Sequence, residues 1–241
     1  MFADVIRLAP PVRVARLARP ARFALTLLIV VPMLPVAGCD RIYYGTMKRF
    51  GVEKRDILVK RVREAREAQQ EGKEEFRSAL ERFKSVVETE GRSLEDKYND
   101  LNKQLERSED RAKKIHDKVK AVKDVASDLF KEWEKELGQY SDRALRAESE
   151  RELRATRQRA QGVIAAMERA DKRVDPVLQP LRDRVLFLKH NLNASAIGAL
   201  DKELVALRIN VDALVVDLES SIAEAETFIA QMDAEARTAT D

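Results

Sequence analysis

Cys39, His116 and His190 are the residues of this chain best suited to nucleophilic, acid–base or metal chemistry, and they stand far apart in a 241-residue sequence. A di-metal helical bundle asks for Glu-x-x-His on facing helices. Three residues before His116 stands Lys113, and three before His190 stands Phe187, so neither fits. Neither the phosphate-cradling GxxxxGK[ST] pattern nor a G-x-S-x-G elbow occurs. Acidic side chains are abundant, but they interleave with basic ones, as in EKRDILVKRVREAREAQQEGKEE (Glu53–Glu75). That spacing is the solvated face of a helix laced with i,i+4 ion pairs rather than an acid–base couple. The expectation is a protein with no catalytic site, no metal and no cofactor.

Cys39, the single thiol, sits just after the one strongly apolar run, FALTLLIVVPML (Phe23–Leu34). Twelve residues with a proline are too short to span a bilayer, which takes roughly 20. Five arginines precede the run, and Val36, Ala37 and Gly38 precede the cysteine. Basic start, short apolar core and small residues before cysteine resemble the export signal and lipid-attachment box of bacterial lipoproteins. The long basic region leaves room for a start codon further in. The resemblance implies removal of residues 1–38 and a diacylglycerol on Cys39, with a third acyl chain on its amine. Two or more chains anchor a protein stably. An acylated Cys39 leaves no thiol for a disulfide or a Cys–His nucleophile. Without the leader the formal charge of +3 becomes −1, because five arginines and one aspartate depart with it. No nucleic-acid footprint remains.

The remainder is built of heptads. Apolar positions alternate between steps of three and four in four runs: Leu58 to Val86, Leu94 to Trp133, Leu153 to Leu192, and Ile197 to Met232. Gly91 followed by Ser93 offers a helix stop and an N-cap. Gly138 to Ser141 makes a second break, with Ser141 as the cap, and Asn191 to Ser195 a third. Pro176 and Pro180 predict a kink or short break near Asp175. Such short connections force antiparallel neighbours, pairing Phe83 with Tyr98, Phe76 with Leu105 and Gly72 with Ser108. Around Ala194 they pair Leu188 with Leu200 and Val174 with Leu214. Gly72 opposite Ser108 is expected to be a thin layer. The last two runs also carry Ile164, Leu178, Leu186, Phe187, Val205, Ile209, Val215 and Val216 beside the seam. So broad an apolar face needs a partner, either the first hairpin or a second copy of the chain.

The fold class expected is all-α: elongated antiparallel coiled-coil hairpins folded as an up-down-up-down four-helix bundle, with oligomers open. The organisation read from the chain is a signal peptide at 1–38, a lipid-anchored linker at 39–52, a hairpin at 53–140 turning near 91, a hairpin at 141–235 turning near 194, and a disordered tail at 236–241. At about 1.5 Å per residue each helix is some 55–75 Å long, giving a rod whose turns near 91 and 194 share the end away from Cys39.

Two tracts stand out. In Arg41–Leu58, Tyr43, Tyr44 and Phe50 are ring types that settle at membrane interfaces, and Lys48 and Arg49 suit acidic headgroups. In Asp175–Leu200, His190, Asn191 and Asn193 crowd a turn far from the anchor, either as a partner contact or as the caps that close the hairpin. The segments YYGTMKRFGVEKRDILV (Tyr43–Val59), FKEWEKELGQYS (Phe130–Ser141) and LKHNLNASAIGAL (Leu188–Leu200) resemble, in order, a bacterial lipoprotein family known as domain of unknown function 2959. The resemblance implies a Gram-negative, lipid-anchored helical protein and brings no catalytic residues. The functional expectation is a non-enzymatic spacer or docking scaffold on the periplasmic face of a membrane, binding an envelope protein and no nucleic acid. Asp40 after the cysteine favours the inner membrane. The alternatives are a membrane-binding or membrane-shaping protein and a ligand-binding bundle.

Overall fold

A computed structural model describes residues 54–89, 91–191 and 194–238, with side chains described except at 194–203 and 238. Five helices occupy them: α1 Lys54–Glu88, α2 Leu94–Leu137, α3 Arg143–Lys172, α4 Val174–His190 and α5 Ala194–Thr238. No strand occurs among the described residues. α1 packs along α2 and α5, while α3 and α4 continue one another as a third rod lying against both α2 and α5. The four rods therefore close a ring, as an up-down-up-down bundle requires.

Ion pairs and hydrogen bonds give the register. Along α1 and α2, Glu75 meets Gln104, Glu64 meets Lys118 and Lys54 meets Glu132. This antiparallel pairing centres on Gly91, which adopts the left-handed φ of 78° that only glycine takes freely. Ser93 caps α2 by accepting from the Asp96 N–H at 3.0 Å. At the second break the cap is Asp142 rather than Ser141. A carboxylate one residue later reaches two free amides, those of Ala144 and Leu145, at 2.7 and 3.2 Å, and suits the positive end of the helix dipole.

Every apolar seam position of the first run, Leu58 through Val86, is buried, as are those from Leu153 to Leu188. A two-stranded coil buries only such a seam. Here Ala68, Val125, Ala166, Leu178 and Val215 beside it are also buried, because each rod has two neighbours to face. Gly72 departs from expectation. It is not a thin layer opposite Ser108: the side chain of Ile115 fills its place so closely that an added Cβ would lie 2.4 Å from Ile115 Cδ1. Ser108 turns inward and donates to the Gln104 carbonyl at 3.0 Å.

The third rod breaks at Arg173, two residues before Asp175. A proline ring clashes with the carbonyl four residues back, which for Pro176 is that of Lys172, so the helix yields there. Arg173 bonds back to Ala170 at 3.1 Å, a tightened turn. Pro180 stays within α4 and lacks the N–H that would serve the Pro176 carbonyl. From α5, Asn210 donates to that carbonyl at 3.5 Å instead.

Candidate functional site: the waist, the groove and the two ends

Midway along the bundle every neighbouring pair of rods is bridged at one level. Glu71 of α1 accepts from Arg111 and Lys114 of α2. His116 of α2 faces Asp171 of α3, Nδ1 to Oδ2, at 3.2 Å. Arg173, at the α3–α4 junction, donates to Asp217 of α5. Glu219 of α5 returns to α1 through Arg77 at 2.9 Å and Lys73 at 3.6 Å. Inside this belt the Ser221 hydroxyl donates to Gln69 Oε1 at 2.7 Å, both residues being fully buried. The Gln69 amide nitrogen has no hydrogen-bond partner. A buried polar atom left so costs stability, yet such a pair also penalises any slip of α1 against α5, since a slip would set both groups against hydrocarbon.

Beside the belt, between α2 and the α3–α4 junction, lies an open groove of about 690 Å³. Its cations are Lys113, Lys120, Lys123, Lys172 and Arg182, and its carboxylates Glu109, Glu168, Asp171 and Asp175. Burial raises the Asp171 carboxyl above its usual value; His116 opposes that shift, and Asp175 and Glu168 add to it. Glu168 holds the Lys123 ammonium above its ordinary range. Glu71 is lowered, chiefly by Lys114. Glu64, nearer the α1 start, is also lowered: burial works against its charge, but Lys118 and Arg61 together outweigh it. An imidazole held by a carboxylate is half of a nucleophilic constellation, but among the described residues no hydroxyl or thiol lines the groove for it to activate. Among the described residues no three His, Cys, Asp or Glu are placed to hold a metal, and no helix is long and apolar enough to cross a membrane.

The broad apolar face resolves in two parts. Leu178 and Val215 go into the core and Ile164 packs against it, whereas Leu186, Phe187, Val205, Ile209 and Val216 stay 42–67% exposed. These five run from the waist towards the α4–α5 turn. His190 ends α4 exposed, and Asn191 Nδ2 donates to the Phe187 carbonyl at 3.0 Å, capping the helix. Asn193, Cys39, Tyr43, Tyr44, Lys48, Arg49 and Phe50 lie outside the described residues. The opposite end carries Tyr140 and Leu145, exposed by 42% and 59%. The waist partners were missed in sequence because a polar seam residue such as Gln69 or Ser221 shows there only as a gap in the hydrophobic pattern.

Compared with known families, residues 43–232 match the model of one described as Protein of unknown function (DUF2959). No curated protein matches the chain.

Proposed function

The chain belongs to this DUF2959 family, which supplies no activity, and from that premise we propose that it is a non-enzymatic, lipid-anchored spacer or docking scaffold of the bacterial envelope. Cys39 carries the lipid in this reading and holds the protein on the periplasmic face of a membrane, the inner one in view of Asp40. The bundle stands off that membrane and offers its far half to an envelope protein. The observation that carries the reading is a group of large apolar side chains, Leu186, Phe187, Val205, Ile209 and Val216, all left exposed in the half of the bundle towards the α4–α5 turn. Large apolar side chains held in water carry a solvation cost that a partner would relieve. His190, Asn191 and Asn193 would add polar contacts at the rim. The test is photo-crosslinking in cells from Phe187, Ile209 and His190, with Lys131 and Arg154, exposed in the near half, as controls. A discrete adduct from the first set and none from the second supports the reading; adducts from the control sites alone overturn it.

A further inference from the structure

We propose that the α2–α3 turn, through Tyr140 and Leu145, is a second contact with the lipid surface, one that fixes the orientation of the bundle on its anchor. The idea rests on the lipid-anchor reading for its setting and on the turn's own geometry for its substance. The turn closes without these two side chains: Gly138 and Gln139 bond back to Lys135 and Glu136 at 3.3 and 2.9 Å, and Asp142 caps α3. Both side chains nevertheless face solvent, 42% and 59% exposed, and residues 138–148 are exposed without exception. An aromatic and an aliphatic side chain held at the tip of a hairpin are what a headgroup layer accepts.

The place of the turn argues for lipid over protein. α1 begins at the same end, where Lys54 pairs with Glu132 and the Arg55 guanidinium lies 5.6 Å from the Trp133 ring centroid. α2 continues from there to Leu137, so the turn lies past the level of Lys54. Fifteen residue steps join Cys39 to Lys54, a reach of at most about 54 Å, so an acylated Cys39 tethers the bundle by this end and not by the far one. Lys135 and Arg143 flank the turn without an ion-pair partner among the described residues and can meet phosphate groups. Two contacts brace α2 against α3 behind the turn: Trp133 Nε1 donates to Ser149 Oγ at 2.9 Å, and Arg157 lies 5.1 Å from the Phe130 ring centroid.

The experiment uses the full acylated protein in vesicles of phosphatidylethanolamine and phosphatidylglycerol, with one nitroxide at L145C or, as a far-end control, at V205C. Protection of the 145 label from a water-soluble relaxant, with exposure to oxygen, is the expected result, while the 205 label shows the reverse. Equal water exposure of both labels on vesicle-bound protein overturns the proposal. The mass of the Cys39 peptide scores the anchor separately. If Cys39 is unmodified, the anchor reading falls alone and flotation of the same chain at low salt judges the turn. Binding lowered roughly tenfold by Tyr140→Asp with Leu145→Asp, as loss of two interfacial side chains implies, supports it. No binding, or binding indifferent to the pair, overturns it.

Discussion

Replacing Gly72 by alanine tests whether the waist is as closely packed as its geometry requires. The new Cβ would stand 2.4 Å from Ile115 Cδ1 and 3.4 Å from its Cγ1. Carbon atoms at rest lie about 3.5–4.0 Å apart, so the terminal methyl must move by more than about 1 Å. Ile115 is fully buried, so its terminal methyl has to repack against its neighbours. Leaving its rotamer costs about 0.5–1.5 kcal/mol, and overpacking a filled core about 1–3 kcal/mol. Against this, alanine in a helix interior gains about 0.8–1 kcal/mol over glycine. Gly72→Ala alone is therefore expected to destabilise by about 0–2 kcal/mol. Ile115→Val removes the methyl that collides and by itself costs about 0.5–1.5 kcal/mol through the void it leaves.

In the double variant the alanine methyl occupies that void, and each change cancels the penalty of the other. The double variant should equal or exceed the wild type in stability, with a coupling of at least about 1 kcal/mol against the sum of the singles. Urea unfolding followed by circular dichroism at 222 nm gives the four midpoints, compared at constant m. Additivity to within about 0.5 kcal/mol would show that the two side chains do not meet and would refute the waist packing.

Other expectations follow from the same belt. Ser221→Ala leaves both ends of a buried amide unpartnered and should cost about 1–3 kcal/mol, whereas Ser221→Ala with Gln69→Leu should be neutral or stabilising; a double variant no better than the single would contradict this. Asp171 is raised above its usual value of 3.8 in the folded protein, so folding favours its protonated form. Its contribution is fully present below the unfolded value and is lost as pH rises through the raised one. Asp171→Asn should accordingly gain on the wild type as pH rises from below 3.8 through the raised value, and a flat or opposite difference in urea midpoints would count against the burial argument. Asn210→Ala should cost about 0.5–1.5 kcal/mol in the wild type and almost nothing once Pro180→Ala restores the missing N–H; equal costs in both backgrounds would sink the compensation.

Much of the fold was legible in the sequence because helical periodicity is a local property. Leu58 to Val86 and Leu153 to Leu188 announced their buried faces at steps of three and four, and Gly91 with Ser93 announced a turn. The Gly91 hairpin also carried its own register, since a short loop leaves antiparallel neighbours no choice. Where local signals competed, the reading moved by a residue or two: Asp142 caps in place of Ser141, and the rod breaks at Arg173 because a proline acts on the carbonyl four residues behind it.

What tertiary structure alone decided is what depends on residues far apart in the chain. Gln69 and Ser221 are 152 positions apart, and Arg63 meets Asp233 across 170; no local pattern encodes such a meeting. The filling of Gly72 by Ile115 depended on the relative axial rotation of α1 and α2, which a heptad repeat does not specify. The division of the broad second-hairpin face, Leu178 and Val215 inward against Leu186, Val205 and Ile209 outward, likewise waited for the first hairpin to take its side. A periodic sequence determines which residues seek burial. Only the assembled bundle, with a limited area for each rod to cover, determines which of them obtain it.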